Sequence, residues 1–211
     1  GIDAVLLAMR ELEDQAEARF RERLRELPDG VFRHRTYMDY EGAVYRCELE
    51  LTKRGDALLF DFTADDQARA VMNCVRALTE GCVMNSILTT LCFGGVPWCP
   101  AGIGRAVEIR TRPGSVIDAA WPAGTSGGSS AGSVLVTSNA ESSLAKLLDA
   151  SPEHCDFVRA ASGGGVGIVD MAGTDQYGRP FLMPILDGCF GTGTGARDGR
   201  DGLHSTGPAS A

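Results

Sequence analysis

Two stretches of this 211-residue chain hold residue types that could do chemistry. The first, residues 121–133, reads WPAGTSGGSSAGS and contains two overlapping G-x-S-x-G matches centred on Ser126 and Ser130. Small residues around such a serine allow the strained strand-to-helix turn that exposes a nucleophile. A serine amidase would also need a lysine base and a second serine-bearing loop. Lys53, next to Arg54 in an expected hairpin turn, should be solvated and protonated there, and no second loop is visible. The competing reading is a loop leading into a helix, with serines as caps. The second stretch, residues 188–205, reads GCFGTGTGARDGRDGLHS and ends near His204, one of only three histidines. It lacks the G-x-G-x-x-G register and the G-x-x-x-x-G-K-S/T pattern, so it is neither dinucleotide fingerprint nor P-loop. Successive backbone N–H groups in such a loop can still form an anion nest.

Few other residues compete for a catalytic role. His34 lies in the charged run FRHRTY and His154 near a helix end in SPEHCDF, so both are expected at the surface or as caps rather than as general bases. Asp65 and Asp66 are adjacent in a turn context, which suits a solvated cap better than an acid/base pair. The seven cysteines, Cys47, Cys74, Cys82, Cys92, Cys99, Cys155 and Cys189, include no CxxC pair and no histidine at ligand spacing. They read as reduced thiols acting as small core hydrophobes in a cytoplasmic protein, and no metal site can be built from them. A net charge of −8 argues against a nucleic-acid footprint. No apolar run is long enough to span a bilayer, so no membrane partner is expected.

The elements that must position these residues follow from apolar spacing. Val5, Leu6, Met9, Leu12, Ala16, Phe20, Leu24 and Leu27 recur at mostly three- and four-residue steps, which predicts an amphipathic helix over residues 3–26. Pro28, Asp29 and Gly30 end it and suggest a division into an N-terminal helix, 1–30, and a remainder, 31–211. Alternation of Cys47, Leu49 and Leu51, then of Leu58, Phe60 and Phe62, around Arg54-Gly55-Asp56 predicts an antiparallel hairpin with one face toward water or a partner. A buried helix is expected over 75–91, a strand with a Pro-Gly turn over AVEIRTRPGSVID, a helix over 133–148, and a hairpin connection at GTDQYGRP. The fold class is α+β, with hairpins, a mixed sheet and packed helices.

Taken in order, six segments carry a resemblance to a known family. They are the helix ending in LPDGVF, GDALLFDFTADDQARAVMN, GRAVEIRTRPGSVIDAAWPA, the helix after it, AASGGGVGIVDMAGTDQYGRPF and GTGTGARDGRDGLHS. The chain resembles the hydantoinase B/oxoprolinase family, the larger-subunit type of ATP-dependent hydantoinases, oxoprolinases and ketone carboxylases. Gly191, Gly193, Gly195, Ala196, Asp201, Gly202 and His204 fall where that family has its glycine run, Asp-Gly and terminal histidine. Thr192 and Thr194 interrupt the run, and Leu203 stands where the family has Val.

The resemblance implies part of an ATP-dependent cyclic-amide hydrolase whose full length exceeds this chain, so an isolated piece would be inactive. It implies Gly191, Gly193 and Gly195 as walls for a substrate or intermediate, with Asp201 and His204 as catalytic candidates. It implies no cofactor in this chain, ATP and a divalent metal in the full complex, a hydantoinase A-like ATP-binding partner and a small-molecule substrate. Alternatives are an ATP-dependent ketone carboxylase subunit, a non-catalytic interaction module and the serine amidase.

Overall fold

A computed structural model describes residues 1–160, 169–185, 195–196 and 199–202, with backbone alone for 169–171 and 183–185. Helix α1 spans Ile2–Arg25, and its Ala16, Phe20 and Leu24 are fully buried on one stripe. The residue before a proline is driven out of helical geometry, so Leu27-Pro28 ends it. Four strands follow as one sheet: β1 (Gly30–Tyr40), β2 (Ala43–Arg54), β3 (Ala57–Ala64) and β4 (Val107–Arg110), in the order β1-β2-β3-β4. The first three pair antiparallel, and β4 joins β3 in parallel after a crossover through α2 (Arg76–Leu91) and the short α3 (Pro100–Ile103). Helix α4 (Gly132–Asp149) packs between α2 and the β1–β2 side of the sheet. A separate hairpin pairs β5 (Val169–Thr174) with β6 (Pro180–Ile185) through a turn at 175–179. The class is α+β, as the sequence indicates.

One hydrophobic cluster ties these elements together. Cys47, Leu49 and Leu51 of β2 and Leu58, Phe60 and Phe62 of β3 point inward to meet Phe20, Leu24, Ile87, Leu91, Leu144 and Leu147 from the helices. Each fully buried side chain of this size stabilises by about 1.5–3 kcal/mol, which fixes the helices on one face only. The opposite face carries cross-strand ion pairs, Arg33 with Glu50 at 2.7 Å and Arg35 with Glu48.

Three expectations change. Residues 32–37, read as a charged run, fall within the 11-residue strand β1, whose exposure alternates strictly along its length. The apolar stripe of α1 is buried only in its C-terminal half: Val5, Leu6, Met9 and Leu12 are 48–58% exposed, because α3 crosses the helix at Glu13 and Ala16 and, among the described residues, the major packing contacts of α1 lie at and beyond that crossing. Lys53 is not solvated. It is 3% exposed, and its ammonium donates to Leu27 O at 2.5 Å and to Asp29 Oδ1 at 2.8 Å. Asp29 Oδ1 also accepts Gly55 N at 2.9 Å, so one buried cation stitches the end of α1 to the β2–β3 turn.

Candidate functional site

The Gly/Ser loop owes its glycines to close packing rather than to a strained nucleophile. A Cβ on Gly128 would lie 2.4 Å from Asn73 O, and one on Gly132 would lie 2.1 Å from Met72 O. The loop therefore lies backbone against backbone on residues 70–74. Ser126 is exposed, and Ser130 Oγ donates back to Gly127 O at 3.2 Å. Among the described residues no histidine or lysine hydrogen-bonds either serine, so no amidase dyad or triad is assembled there.

What holds this loop is a residue the sequence does not announce. Asn73 is fully buried between Met72 and Cys74, just before α2. Its Oδ1 accepts Ala68 N at 2.6 Å, and its Nδ2 donates to Ala68 O at 2.9 Å, Ala70 O at 2.9 Å and Gly124 O at 2.8 Å. A side-chain amide reaching four backbone groups at once, with one of its two N–H protons shared between carbonyls, replaces the regular structure this turn lacks. A lone Asn among apolar neighbours has no periodic signal, which is why pattern reading passes over it.

The C-terminal glycine segment is described only in part. Gly191, Gly193 and His204 lie outside the described residues, and so does Cys189. Gly195 and Ala196 run against the chain at 160: Ala160 N donates to Ala196 O at 2.9 Å, and a Cβ on Gly195 would fall 1.6 Å from Ala160 O. Glycine is required at 195 by that approach. Asp201 is exposed, and Gly202 is half-buried. The two glycine-rich ends, near 160 and 195, are thus brought together, while the Gly/Ser loop at 124–132 serves a different contact.

The histidines and carboxylates are engaged elsewhere. His154, expected at the surface, is buried, because Arg23, Ser151 and Phe93 close around it. Arg23 can only donate, so His154 Nε2 accepts at 2.7 Å and the ring proton at Nδ1 faces Ser151 Oγ at 3.1 Å. Arg23 also lies over the Phe93 ring, 4.2 Å from its centroid, making this a clamp between α1 and the loops around 93 and 154. His34 is half-buried with Lys146 Nζ at 3.3 Å from its Nδ1; burial first, and then the Lys146 charge, hold its pKa below the ordinary value. Asp65 and Asp66 act separately, Asp65 accepting Arg46 N at 2.7 Å and Asp66 accepting from Arg112 at 2.7 Å. Burial pushes Cys47, Cys74 and Cys92 up to about 12, so these thiols stay protonated at neutral pH and serve as core. Among the described residues no three His, Cys, Asp or Glu side chains converge as a metal-binding group. Among them, too, no helix is long and apolar enough to cross a membrane.

The profile of the Hydantoinase B/oxoprolinase family matches residues 1–210, virtually the whole chain. The chain belongs to the hydantoinase B/oxoprolinase family. Its fold is similar to that of the ATP-dependent caprolactamase from Pseudomonas jessenii, with a TM-score of 0.80 and 22% identity over 99% of this chain and 35% of that one. It is also similar to a nucleotide-free acetone carboxylase structure, with a TM-score of 0.77 and 16% identity over 92% of this chain and 27% of that one. A search of curated proteins returns no match. This hydantoinase B/oxoprolinase chain thus spans about a third of the length of these solved relatives. Asn73, Gly128, Gly132 and Gly195 are among the positions where this chain's backbone segments meet closely.

Proposed function

We propose that this chain is part of the large subunit of an ATP-dependent cyclic-amide hydrolase, of the hydantoinase, 5-oxoprolinase or lactamase type. The observation that carries this reading is the family match over residues 1–210, which includes the paired segments at 160 and 195–196. The caprolactamase likeness over 99% of the chain supports it. An unstrained ring amide is a poor electrophile, because its nitrogen lone pair is delocalised into the carbonyl. Coupling to ATP supplies the missing drive: the γ-phosphoryl group is transferred to the carbonyl oxygen and ADP leaves, one water adds its oxygen to the activated carbon, the C–N bond breaks with the nitrogen taking up a proton, and a second water releases the phosphoryl group as inorganic phosphate. A partner subunit or domain of the hydantoinase A type would handle ATP. This chain would contribute a wall of backbone N–H donors around Gly191, Gly193 and Gly195, where negative charge develops on the former carbonyl oxygen. Asp201 and His204 would hold or orient that wall.

A second reading keeps the same activation and carboxylates a ketone, and the acetone carboxylase likeness favours it. ADP release measured in the intact assembly with a lactam, against a ketone plus bicarbonate, separates the two. Lactam-dependent, bicarbonate-independent turnover supports the hydrolase. Turnover that requires ketone and bicarbonate supports the carboxylase. Replacing Asp201 and His204 with Ala while assembly stays intact separates either enzyme from a non-catalytic interaction module, which predicts unchanged turnover.

A further inference from the structure

Strand β1 is the longer of the two edges of the four-stranded sheet, and one side of its backbone is left unpaired. The direction of each backbone group follows from β2. Arg46 N donates to Asp65 Oδ2 at 2.7 Å and Arg46 O accepts Asp65 N at 3.1 Å, so Arg46 faces the β3 side. Successive residues of a strand turn their N–H and C=O to opposite sides. Tyr45, Cys47, Leu49 and Leu51 therefore face β1, where the register sets them against Met38, Thr36, His34 and Phe32. The odd-numbered residues of β1, from Val31 to Asp39, turn their N–H and C=O away from the sheet. Among the described residues only one of these groups finds a partner: Arg33 O accepts Lys146 Nζ at 2.5 Å and keeps a second lone pair.

The side chains beside this edge are complementary to their own antiparallel copy. Arg33, Arg35, Tyr37 and Asp39 are all exposed on the outer face. Arg33 directs Nε and Nη2 to Glu50, which leaves Nη1 to donate elsewhere, and Asp39 makes no ion pair among the described residues. Opposite charges directly across two antiparallel strands stabilise, and like charges destabilise. Pairing two β1 strands in full overlap sets Arg35 against Arg35 of a second copy, and a shift of two residues one way sets Arg33 against Arg35. The same shift the other way centres the pair on Thr36, with Arg33 against Asp39 and Arg35 against Tyr37. Shifting two residues further leaves Arg33 opposite Glu41, which lies past the end of the strand at φ 49°, and shortens the overlap.

We propose that β1 is a self-pairing edge, through which two copies of this chain join their sheets antiparallel about a two-fold axis at Thr36. Arg33 Nη1 of each copy donates to the Asp39 carboxylate of the other, and each Arg35 guanidinium lies against the other Tyr37 ring. Each directly opposed odd-numbered pair exchanges two backbone hydrogen bonds. The edge is thereby satisfied with no change in the pairing of β1 to β2. This contact does not depend on the hydrolase reading.

Two measurements on the intact protein with its ATP-binding partner test it. In the first, the Arg33, Tyr37 and Asp39 amides of the wild type exchange about tenfold or more slowly than those of Arg35→Pro. Proline at 35 removes an outward N–H and blocks an approaching strand, while the His34 and Thr36 amides, which bond to β2, stay within about twofold. In the second, Arg35→Cys and Tyr37→Cys chains are produced together and oxidised with oxidised glutathione. Opposed residues of this kind lie about 5.5 Å apart at Cα, within disulfide reach, so mass spectrometry finds a bond from position 35 of one copy to position 37 of the other. Neither variant alone forms a 35–35 or 37–37 bond. This arm decides the matter if Arg35→Pro does not fold. Outward amides that exchange as unpaired groups, or protection that persists in Arg35→Pro, overturn the proposal. A 35–35 or 37–37 bond refutes the register, and a protected edge with no cross-link means that another segment covers it, which overturns the proposal equally.

Discussion

Removing the side-chain amide at Asn73 tests whether one residue really holds the turn before α2. In Asn73→Ala four backbone groups lose their partner: Ala68 N, Ala68 O, Ala70 O and Gly124 O. Ala68 is 4% exposed, so its two groups are stranded, whereas Ala70 and Gly124 are half-exposed and can recruit water. A buried backbone group left unpaired costs about 1–3 kcal/mol, so two of them cost about 2–6 kcal/mol, with about 4 kcal/mol the central expectation. Against a total of about 10–30 kcal/mol for a chain of this size, that is a large fraction. With a urea slope of about 2–3 kcal/mol per M, the midpoint falls by about 1.3–2 M at unchanged slope. Asn73→Asp is worse than Asn73→Ala, because it keeps the acceptor for Ala68 N but turns a carboxylate oxygen toward three carbonyls. A midpoint shift corresponding to less than about 1 kcal/mol, or Asp tolerated better than Ala, refutes the reasoning.

Gly132→Ala puts a methyl group 2.1 Å from Met72 O and costs about 1–3 kcal/mol or more in urea unfolding, while Ser126→Ala stays within about 0.5 kcal/mol. Neither Ser126 nor Ser130 is labelled by a fluorophosphonate, and labelling detected by mass spectrometry would restore the serine amidase. Lys53→Met strands Leu27 O, while the exposed Asp29 carboxylate recruits water, and destabilises by about 1–3 kcal/mol in the same assay. The Lys53 hydrogen bond first, and then that from Gly55 N, hold the Asp29 pKa below its unfolded value of 3.8. Its contribution is therefore full above that value and is lost as pH falls through the folded one, so Asp29→Asn flattens the acid limb of a stability–pH curve. His34 also has a depressed folded pKa, so its contribution is complete above 6.5 and lost on acidification below it; Lys146→Met moves its NMR titration midpoint upward.

The residues that sequence pattern placed well are those whose burial is periodic. Phe20 and Leu24 of α1, the alternating Leu49, Leu51, Phe60 and Phe62, and the helix beginning after the Gly/Ser loop all follow one-sided burial, and the turn at Arg54-Gly55-Asp56 stands where its glycine, at φ 60°, lets the chain reverse. Strand β1 was hidden because its inward residues, Phe32, His34, Thr36, Met38 and Tyr40, are a mixed polar set that is only half-buried. Lys53 was misplaced for a different reason: its neighbours in sequence form a turn, but its side chain points under α1, and only the third dimension brings Leu27 O and Asp29 to it. The glycines of 124–132 were legible as a tight loop, yet what they approach, Met72 and Asn73, is distant in sequence. The pairing of 160 with 195–196 has the same character. The family resemblance, by contrast, rested on the order of whole segments, and the match over residues 1–210 agrees with it.

The most direct test of the cyclic-amide hydrolase reading is the rate of ADP release by the intact protein with its ATP-binding partner, given hydantoin, 5-oxoproline or caprolactam in bicarbonate-free buffer. The expected result is lactam-dependent ADP release with an equal amount of ring-opened acid. ADP release that appears only with a ketone and bicarbonate, or none with any lactam, would contradict it.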